Sequence, residues 1–581
     1  MASISFFALA AGFAPGAAIA QDQNASQGDE PIVVTGSRIA RPNYDTVEPA
    51  VILDSQQLED RGFETIGQAL NELPSFGIPG SSPVGGQAGT FGSGQSFVNF
   101  LGLGDQRTLT LVNGRRFVSS NTSSIFGNTN AGGQVDLNQI NPRLVDRVET
   151  IAVGGAPIYG SDAIAGTINV ILKRDYSGLA LDAQYGIAER GDAPNYRAGL
   201  LWGANFAGGR GNVTLSAEYN RGHGLVFTAR EPGRSGRFYD DCPDGSRFNQ
   251  CVYTNLRIPV FAEFGVPLVG GDIFGLAFPL SPQNRIQVFG DPSFSFGVQD
   301  ARANDLVFDR NGNLVVLDYG APIGNAGTFT TNASGGNGFD ILQAGNQLTD
   351  TKRYNATLLA NFQATDHIRL FAEGWFAYSK STNLRDQPLY NSGAFAPAGT
   401  PGGNVILSID NPFLTPAARA AIVNAINNNP FSDQNFLGVP QDYFYFGRAN
   451  TDLYSGRATY ADTLTRGVLG ADGDFGLFGR RWRWEMVGVY GRSHTKGHDR
   501  IVNEQNFQNA VQAVAGPGGT ITCAPGVVNS PYPTQSATCA PLNLFGYGRE
   551  SQAALDYILS DSTPSTTNSQ AVFTADISGP L

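Results

Sequence analysis

Asn212-Val213-Thr214-Leu215-Ser216-Ala217-Glu218-Tyr219-Asn220 alternates without a fault between polar and apolar side chains. Successive residues of a strand point to opposite faces, so Val213, Leu215, Ala217 and Tyr219 share one side. Asn212, Thr214, Ser216, Glu218 and Asn220 share the other, which makes one apolar face and one wet face. Similar segments run near 181–188, 196–206, 354–365, 368–378, 465–475, 482–492 and 571–577. Each is close to the roughly 9–11 residues that carry a tilted strand across a bilayer. The connections alternate in length: 208–211, 364–366 and 476–479 are tight, while 225–352, 381–452 and 495–568 are very long. Short turns at one end and long loops at the other are the habit of outer-membrane barrels.

Composition supports a membrane strand protein. Charged residues make up 15% of the 581, against roughly 25% in soluble proteins, so something other than a charged surface faces part of the surroundings. Gly at 73 residues and aromatics at 11% suit turns and interfacial rings. No long apolar run follows the first residues, which excludes a helical membrane protein. The net charge of −12 argues against a nucleic-acid binder.

At the start, Ile4 to Ala14 is apolar, Pro15 and Gly16 break it, and Ala18-Ile19-Ala20 precedes Gln21. This is the form of a cleavable export signal over 1–20, although the usual leading Lys or Arg is missing, which points to an upstream start or to trimming. Exported chains meet an oxidising compartment, and the cysteines fall as local pairs, Cys242 with Cys251 and Cys523 with Cys539. Their spacing is wrong for zinc, so two small disulfide loops are expected.

No catalytic set is legible. The histidines are His223, His367, His494 and His498, and the last two have i, i+4 spacing without the Glu of a zinc-hydrolase helix. Asp309-Arg310-Asn311-Gly312-Asn313 opens like a calcium loop, but Gly320 stands where the twelfth-position Glu is needed, so a hairpin turn is the better reading. No enzyme activity, cofactor or metal is expected.

The region 47–175 mixes helix and strand, an α+β pattern. Thr65 caps a helix through Leu73 with Ile66, Ala69, Leu70 and Leu73 on one face, and Pro74 stops it. Arg107 to Val112 turns at Asn113-Gly114 and resumes through Arg116-Phe117-Val118, a strong hairpin signal. Further strands are expected at 145–153 and 166–172. Helices are expected from Thr415-Pro416 to Ile426 and, more weakly, over 504–514 and 552–559.

Four stretches occur here in a fixed order: Gly102-Leu103-Gly104 to Leu111-Val112-Asn113-Gly114-Arg115-Arg116; Arg147-Val148-Glu149; Gly154-Gly155-Ala156; and Tyr159-Gly160-Ser161-Asp162-Ala163-Ile164-Ala165-Gly166 to Asn169-Val170-Ile171. Together they resemble the plug domain of TonB-dependent outer-membrane receptors. One departure is Leu101, where the family usually has Arg, which would remove one plug-to-barrel ion pair.

The resemblance implies an α+β plug domain followed by an antiparallel transmembrane β-barrel. About eight strands are readable, against roughly 22 in plugged transporters. The chain also stops at Ser578-Gly579-Pro580-Leu581, where a turn is expected, so the barrel reads as incomplete. The expected division is 1–20 signal, 21–46 periplasmic extension, 47–175 plug and 176–581 barrel.

Within the extension, Pro31-Ile32-Val33-Val34-Thr35-Gly36 is β-branched and has nothing obvious to pack against, and it resembles a TonB box. Ile32, Val33, Val34, Thr35 and Gly36 would then add as a strand to the TonB C-terminal domain, with the inner-membrane ExbB-ExbD motor behind it. Arg115, Arg116, Arg147 and Glu149 are expected to meet charges of the barrel wall. Tyr443-Phe444-Tyr445-Phe446 is expected as an aromatic girdle or as a ring platform for ligand. The implied function is energised uptake of a large nutrient, a siderophore-iron complex or an oligosaccharide, through the outer membrane of a Gram-negative bacterium. Its rival is a passive barrel or adhesin with a sealing N-terminal domain. Membrane lipid and an extracellular ligand are the other implied partners, with no nucleic acid.

Overall fold

The computed structural model describes residues 2–4, 50–61, 63–81, 92–121, 133–152, 159–242, 245–259, 262–270, 295–323, 332–384, 389–390, 405–454, 456–525 and 538–579. The signal region beyond residue 4 and the TonB-box residues Ile32 to Gly36 lie outside them.

The N-terminal domain is built on β1 (Ala50–Asp54), β2 (Thr108–Val112), β3 (Arg115–Arg116), β4 (Val145–Ile151) and β5 (Gly166–Leu172). They form one sheet in the order β1-β4-β5-β2-β3, with β2 and β5 parallel and the other pairs antiparallel. Two short helices, α1 (Ser55–Asp60) and α2 (Ile66–Asn71), accompany the sheet. The start of α2 is set by Thr65, whose side chain accepts from the Gln68 N–H while the Gln68 side chain reaches back, a reciprocal cap. Ile66, Leu70, Val148, Ile168 and Val170 are among the residues of the core beneath.

A large antiparallel sheet follows: β6 (Gly178–Ile187), β7 (Asn195–Phe206), β8 (Gly211–Gly222), β9 (Asp350–Thr365), β10 (Ile368–Leu384), β11 (Arg457–Leu477), β12 (Arg480–Val502) and β13 (Ser565–Ser578). Neighbours in sequence are neighbours in space throughout, and Ala2–Ile4 adds to the far edge of β6. The sheet does not close into a barrel within the described residues. Several strands outrun the alternating segments, because β10, β11 and β12 continue into the long loops as twisted ribbons. His494 and His498 therefore sit in β12 rather than in a loop.

The two faces of this sheet differ. One bears polar and ionic side chains against the N-terminal domain, with Leu201, Leu359, Trp375, Ala377 and Leu464 buried among them. The other exposes Leu181, Leu358, Leu370, Leu469, Met486 and Phe573, among other apolar residues. On that outer face Tyr196, Tyr219, Tyr354 and Tyr378 form a ladder across four strands, with ring centroids 6.2, 5.0 and 6.3 Å apart. Toward the tight turns, Phe206 stacks on Phe362 at 6.0 Å. Tyr354 and Phe362 lie on one strand about 26 Å apart at a rise of about 3.3 Å per residue, the scale of an apolar membrane band before tilt is allowed for.

The three long loops are not loose. Val269, Phe308, Val405, Leu407, Ile422, Phe444, Phe446, Phe507, Leu544, Phe545 and Ile558 belong to one hydrophobic core drawn from all three. It includes residues of α3 (Pro416–Asn428), α4 (Glu504–Val511) and α5 (Gln552–Ile558), capped by Thr415, Asn503 and Ser551. The fully buried Arg448 ties two loops together, pairing with Asp452 at 2.6 Å and donating to the Gly546 carbonyl at 2.8 Å.

Tyr443, Phe444, Tyr445 and Phe446 form neither a girdle nor a platform. They lie in the strand Tyr443–Ala449 at the centre of the loop assembly, where Phe444 and Phe446 have no exposed surface and Tyr445 keeps 2%. Val266–Leu268 and Val405–Ser408 pair along its edges, and its two faces enter different cores, Phe444 and Phe446 the large loop core and Tyr445 a second one with Val307 and Leu317. Cys242 is bonded to Cys251, and Cys523 to Cys539, each within one loop. Residues 309–313 join a short hairpin, with Gly312 at φ 84°.

Candidate functional site

The β2-β3 hairpin is where the N-terminal domain grips the wall sheet. Asn113 and Gly114 both take positive φ, 52° and 76°, as a two-residue hairpin turn of the mirror-image type requires. The turn presents Arg115 to the wall. Its guanidinium donates to Glu485 of β12 at 2.8 Å and to Glu373 of β10 at 3.4 Å, and it lies 4.5 Å over the Phe371 ring. Asn113 adds a donation to Glu373 at 3.2 Å, while its own carbonyl accepts from the Leu172 N–H.

On the wall side, Glu373 also accepts from Arg466 at 3.0 Å and from the Trp375 indole at 3.1 Å. Arg466 in turn sits 5.2 Å from Phe117 of the domain. Two cations and two carboxylates from four strands, β3, β10, β11 and β12, thus meet with no net charge, which is how buried charge is tolerated. A cleft of about 400 Å³ opens beside them, lined by Arg115, Arg116, Arg174, Arg483, Glu485 and Asp576 among others.

The expectation for the other three plug charges is corrected. Arg116 alternates to the opposite side of the hairpin from Arg115 and pairs with Asp162 at 2.6 Å and with the Tyr159 carbonyl, all within the domain. Arg147 pairs with Asp146 and Glu149, both at 2.9 Å on its own strand. Glu149 is buried in the domain sheet opposite Ile52 and Asn169. Local strand spacing brings these groups together first, so each finds its partner before the wall is reached. The wall partners Glu373, Glu485 and Arg466 were not singled out in the sequence. The signal that could have found them is a charge on the wet face of an otherwise membrane-spanning strand.

The rest of the contact is hydrogen-bonded. Asn141 donates to Ser216 at 2.6 Å, Asn355 to the Asn138 carbonyl at 2.9 Å, Gln139 to Asp462 at 2.5 Å, and Asn568 to the Ser119 carbonyl at 3.1 Å. Gly94, at φ 74°, brings the domain backbone so close to Ser381 that a Cβ would stand 2.4 Å from the serine Cβ. Ser93 and Ser381 share a hydrogen bond at 3.1 Å beside it. Apolar contact joins the two as well: Leu201, Leu359, Trp375, Ala377 and Leu464 of the wall share one buried cluster with Phe117 and Val118, Phe117 standing edge-on to Trp375 at 5.6 Å.

Asp136 anchors the domain side of this surface. It is fully buried, and its carboxylate accepts from the Ser96 and Asn138 N–H groups at 2.8 and 3.0 Å. Burial pushes its pKa up to about 7 despite those two donors. Asp105, bonded to the Gly80 N–H at 2.7 Å, is raised to about 6 for the same reason. No group of three or more His, Cys, Asp or Glu placed to hold a metal occurs among the described residues. No described helix is long and apolar enough to cross a membrane, which says nothing of strands.

Residues 42–167 match the family described as TonB-dependent Receptor Plug Domain. Among solved structures, the chain is similar to a mutant of the ferric enterobactin receptor PfeA from Pseudomonas aeruginosa. The identity is 11%, with 92% of this chain and 56% of that one covered, and the TM-score is 0.35. It is also similar to the siderophore receptors PiuA and PirA from Acinetobacter baumannii. For PiuA the identity is 11%, the coverage 92% and 56%, and the TM-score 0.35. For PirA the values are 12%, 79% and 49%, and 0.34. The chain thus spans about half the length of these receptors.

Proposed function

From a chain whose residues 42–167 form a TonB-dependent receptor plug domain, we propose an outer-membrane receptor that takes up a large nutrient, a siderophore-iron complex or an oligosaccharide, using energy delivered through TonB. The observation that carries this reading is the pairing of two unlike faces on one sheet. The plug sits on a polar face through Arg115, Glu373, Glu485 and a set of neutral hydrogen bonds. The opposite face is apolar and bears a tyrosine ladder.

Such a plug is held yet releasable. Each neutral hydrogen bond nets about 0.5–1.5 kcal/mol, because water replaces it when it breaks. A pull on the N-terminal extension would therefore break these polar contacts a few at a time, and it would also have to uncover the apolar cluster around Trp375, Leu359 and Leu464. Ile32 to Thr35 supply the handle, pairing as a strand with the C-terminal domain of TonB. The ExbB-ExbD motor stands behind TonB in this scheme.

The test is binding of the full chain to the purified TonB C-terminal domain, with and without Ile32 to Thr35. Binding that depends on the strand supports the energised receptor. Equal binding, or none in either form, moves the reading to a passive barrel or adhesin.

A further inference from the structure

Asp136 of the plug and Asp462 of the wall are joined by a hydrogen-bond chain that crosses the seam between them. The Asp136 N–H donates to the Ser120 hydroxyl at 3.1 Å, and that hydroxyl donates to the Gln139 side-chain carbonyl at 3.5 Å. The Gln139 amide then donates to Asp462 at 2.5 Å. Both acids are buried, with 0% and 4% of their surface exposed. Among the described residues no cation lies within ion-pair distance of either.

Their hydrogen bonding differs. Asp462 accepts on both oxygens, from Gln139 on one and from Ser493 and Thr495 of β12 at 3.1 and 2.9 Å on the other. Three donors suit an ionised carboxylate. Asp136 accepts only on Oδ1, from the Ser96 and Asn138 N–H groups, and its buried Oδ2 has no partner. A bare carboxylate oxygen away from water is costly, and a proton there removes the charge. On the plug side the groups bonded to Asp136 are neutral, Ser96, Ser120 and Asn138. From the wall, Asp462 of β11 opposes its ionisation and Arg353 of β9 favours it. Arg353 is already engaged, donating to Asn220 at 2.8 Å with Glu64 at 3.9 Å. His494 of β12 acts on Asp462 and bonds Thr567 at 2.9 Å.

We propose that a proton on Asp136 latches the plug to the wall. With the proton in place the two acids share the seam. When it leaves to water, two carboxylates without cations face each other and the plug parts from the wall more readily. Burial pushes the Asp136 carboxyl up to about 7. The latch is therefore complete below about pH 4, where an exposed Asp also holds its proton, and is lost as pH rises through 7. It depends on the seam alone and holds for any cargo.

The experiment uses the full chain purified in detergent. Its four cysteines are paired, so introduced ones carry the labels. Nitroxides at Gln57→Cys of α1 and Leu469→Cys of β11, both exposed positions, report the plug-to-wall distance by pulsed electron resonance. A second pair, Leu469→Cys and Phe573→Cys, reports the wall by itself. Urea is fixed where some plugs part and the wall pair keeps its distance. The ratio of parted to seated plug then rises up to about tenfold per pH unit between about pH 4 and pH 7. Asp136→Asn makes the ratio flat over that window. Asp462→Asn, which removes the opposing charge, lowers the total rise several-fold. A ratio independent of pH in the parent chain overturns the proposal, and so does an unchanged slope in Asp136→Asn. A full rise retained by Asp462→Asn overturns the latch across the seam and makes Asp136 a matter of the plug alone. That second variant, on a wall strand, decides the question where Asp136→Asn does not fold.

Discussion

Arg115 is the residue on which plug and wall depend most directly. Its side chain is 11% exposed and serves two wall carboxylates at once. Arg115→Ala leaves Glu373 with Arg466 and Trp375 but strips Glu485 of this partner. The expected loss is about 1–3 kcal/mol, the range for hydrogen bonds to charged groups, seen as a lower unfolding midpoint and faster proteolysis of the plug. Pairing Arg115→Glu with Glu485→Arg recovers part of it; no recovery would mean that the two side chains do not share their energy. Asp136 makes a second prediction at this scale. Its carboxyl is raised from 3.8 to about 7, so the folded state holds the proton more tightly than the unfolded chain. The stabilisation is complete below the unfolded value and is lost as pH rises through the folded one. Asp136→Asn should therefore flatten the decline of thermal midpoint between about pH 4 and pH 7. An unchanged slope would show that another group sets it.

At the scale of elements, the strand Tyr443–Ala449 is the middle of a cap rather than its surface. Phe446 meets Phe308 at 5.8 Å and Phe545 at 5.6 Å, rings from the first and third long loops. Phe446→Ala should cost about 3–5 kcal/mol of loop stability, as for other buried Phe truncations, read as new protease cleavage within 385–456 and 503–564. A change in ligand affinity with the loops still protected would restore the platform reading. The aromatic run was legible, but its burial was not. Alternation decides which face of a strand is apolar, yet here the loop segments cover both faces. The first helix of the same cap was legible because Thr415 and Pro416 are local signals acting within three residues, whereas the caps Asn503 and Ser551 came to light only in the structure.

At the scale of the molecule, the plug, the wall and the cap are three layers of different chemistry. The wall-to-plug contact mixes ion pairs and hydrogen bonds with an apolar cluster, the cap is apolar inside, and the outer wall is apolar outside. Deleting Ile32 to Thr35 is expected to abolish uptake by cells while leaving ligand binding at the surface intact; undiminished uptake would remove TonB from the scheme. The tyrosine ladder belongs to this scale too. Tyr219 and Tyr378 lie in segments legible as strands, but their alignment into one row depends on register.

What the sequence determined by itself was whatever has a short range. Alternation placed the wall strands, Asn113-Gly114 placed the plug hairpin, and turn length separated the two ends of the sheet. These follow from backbone sterics and side-chain direction, which act over a few residues. The tertiary structure alone decided the partners. Arg115 and Arg116 are adjacent and chemically identical, yet one faces Glu373 and Glu485 while the other turns to Asp162. That division is set by the sheet into which the hairpin is built and by which carboxylates, hundreds of residues away, the fold brings within hydrogen-bond reach.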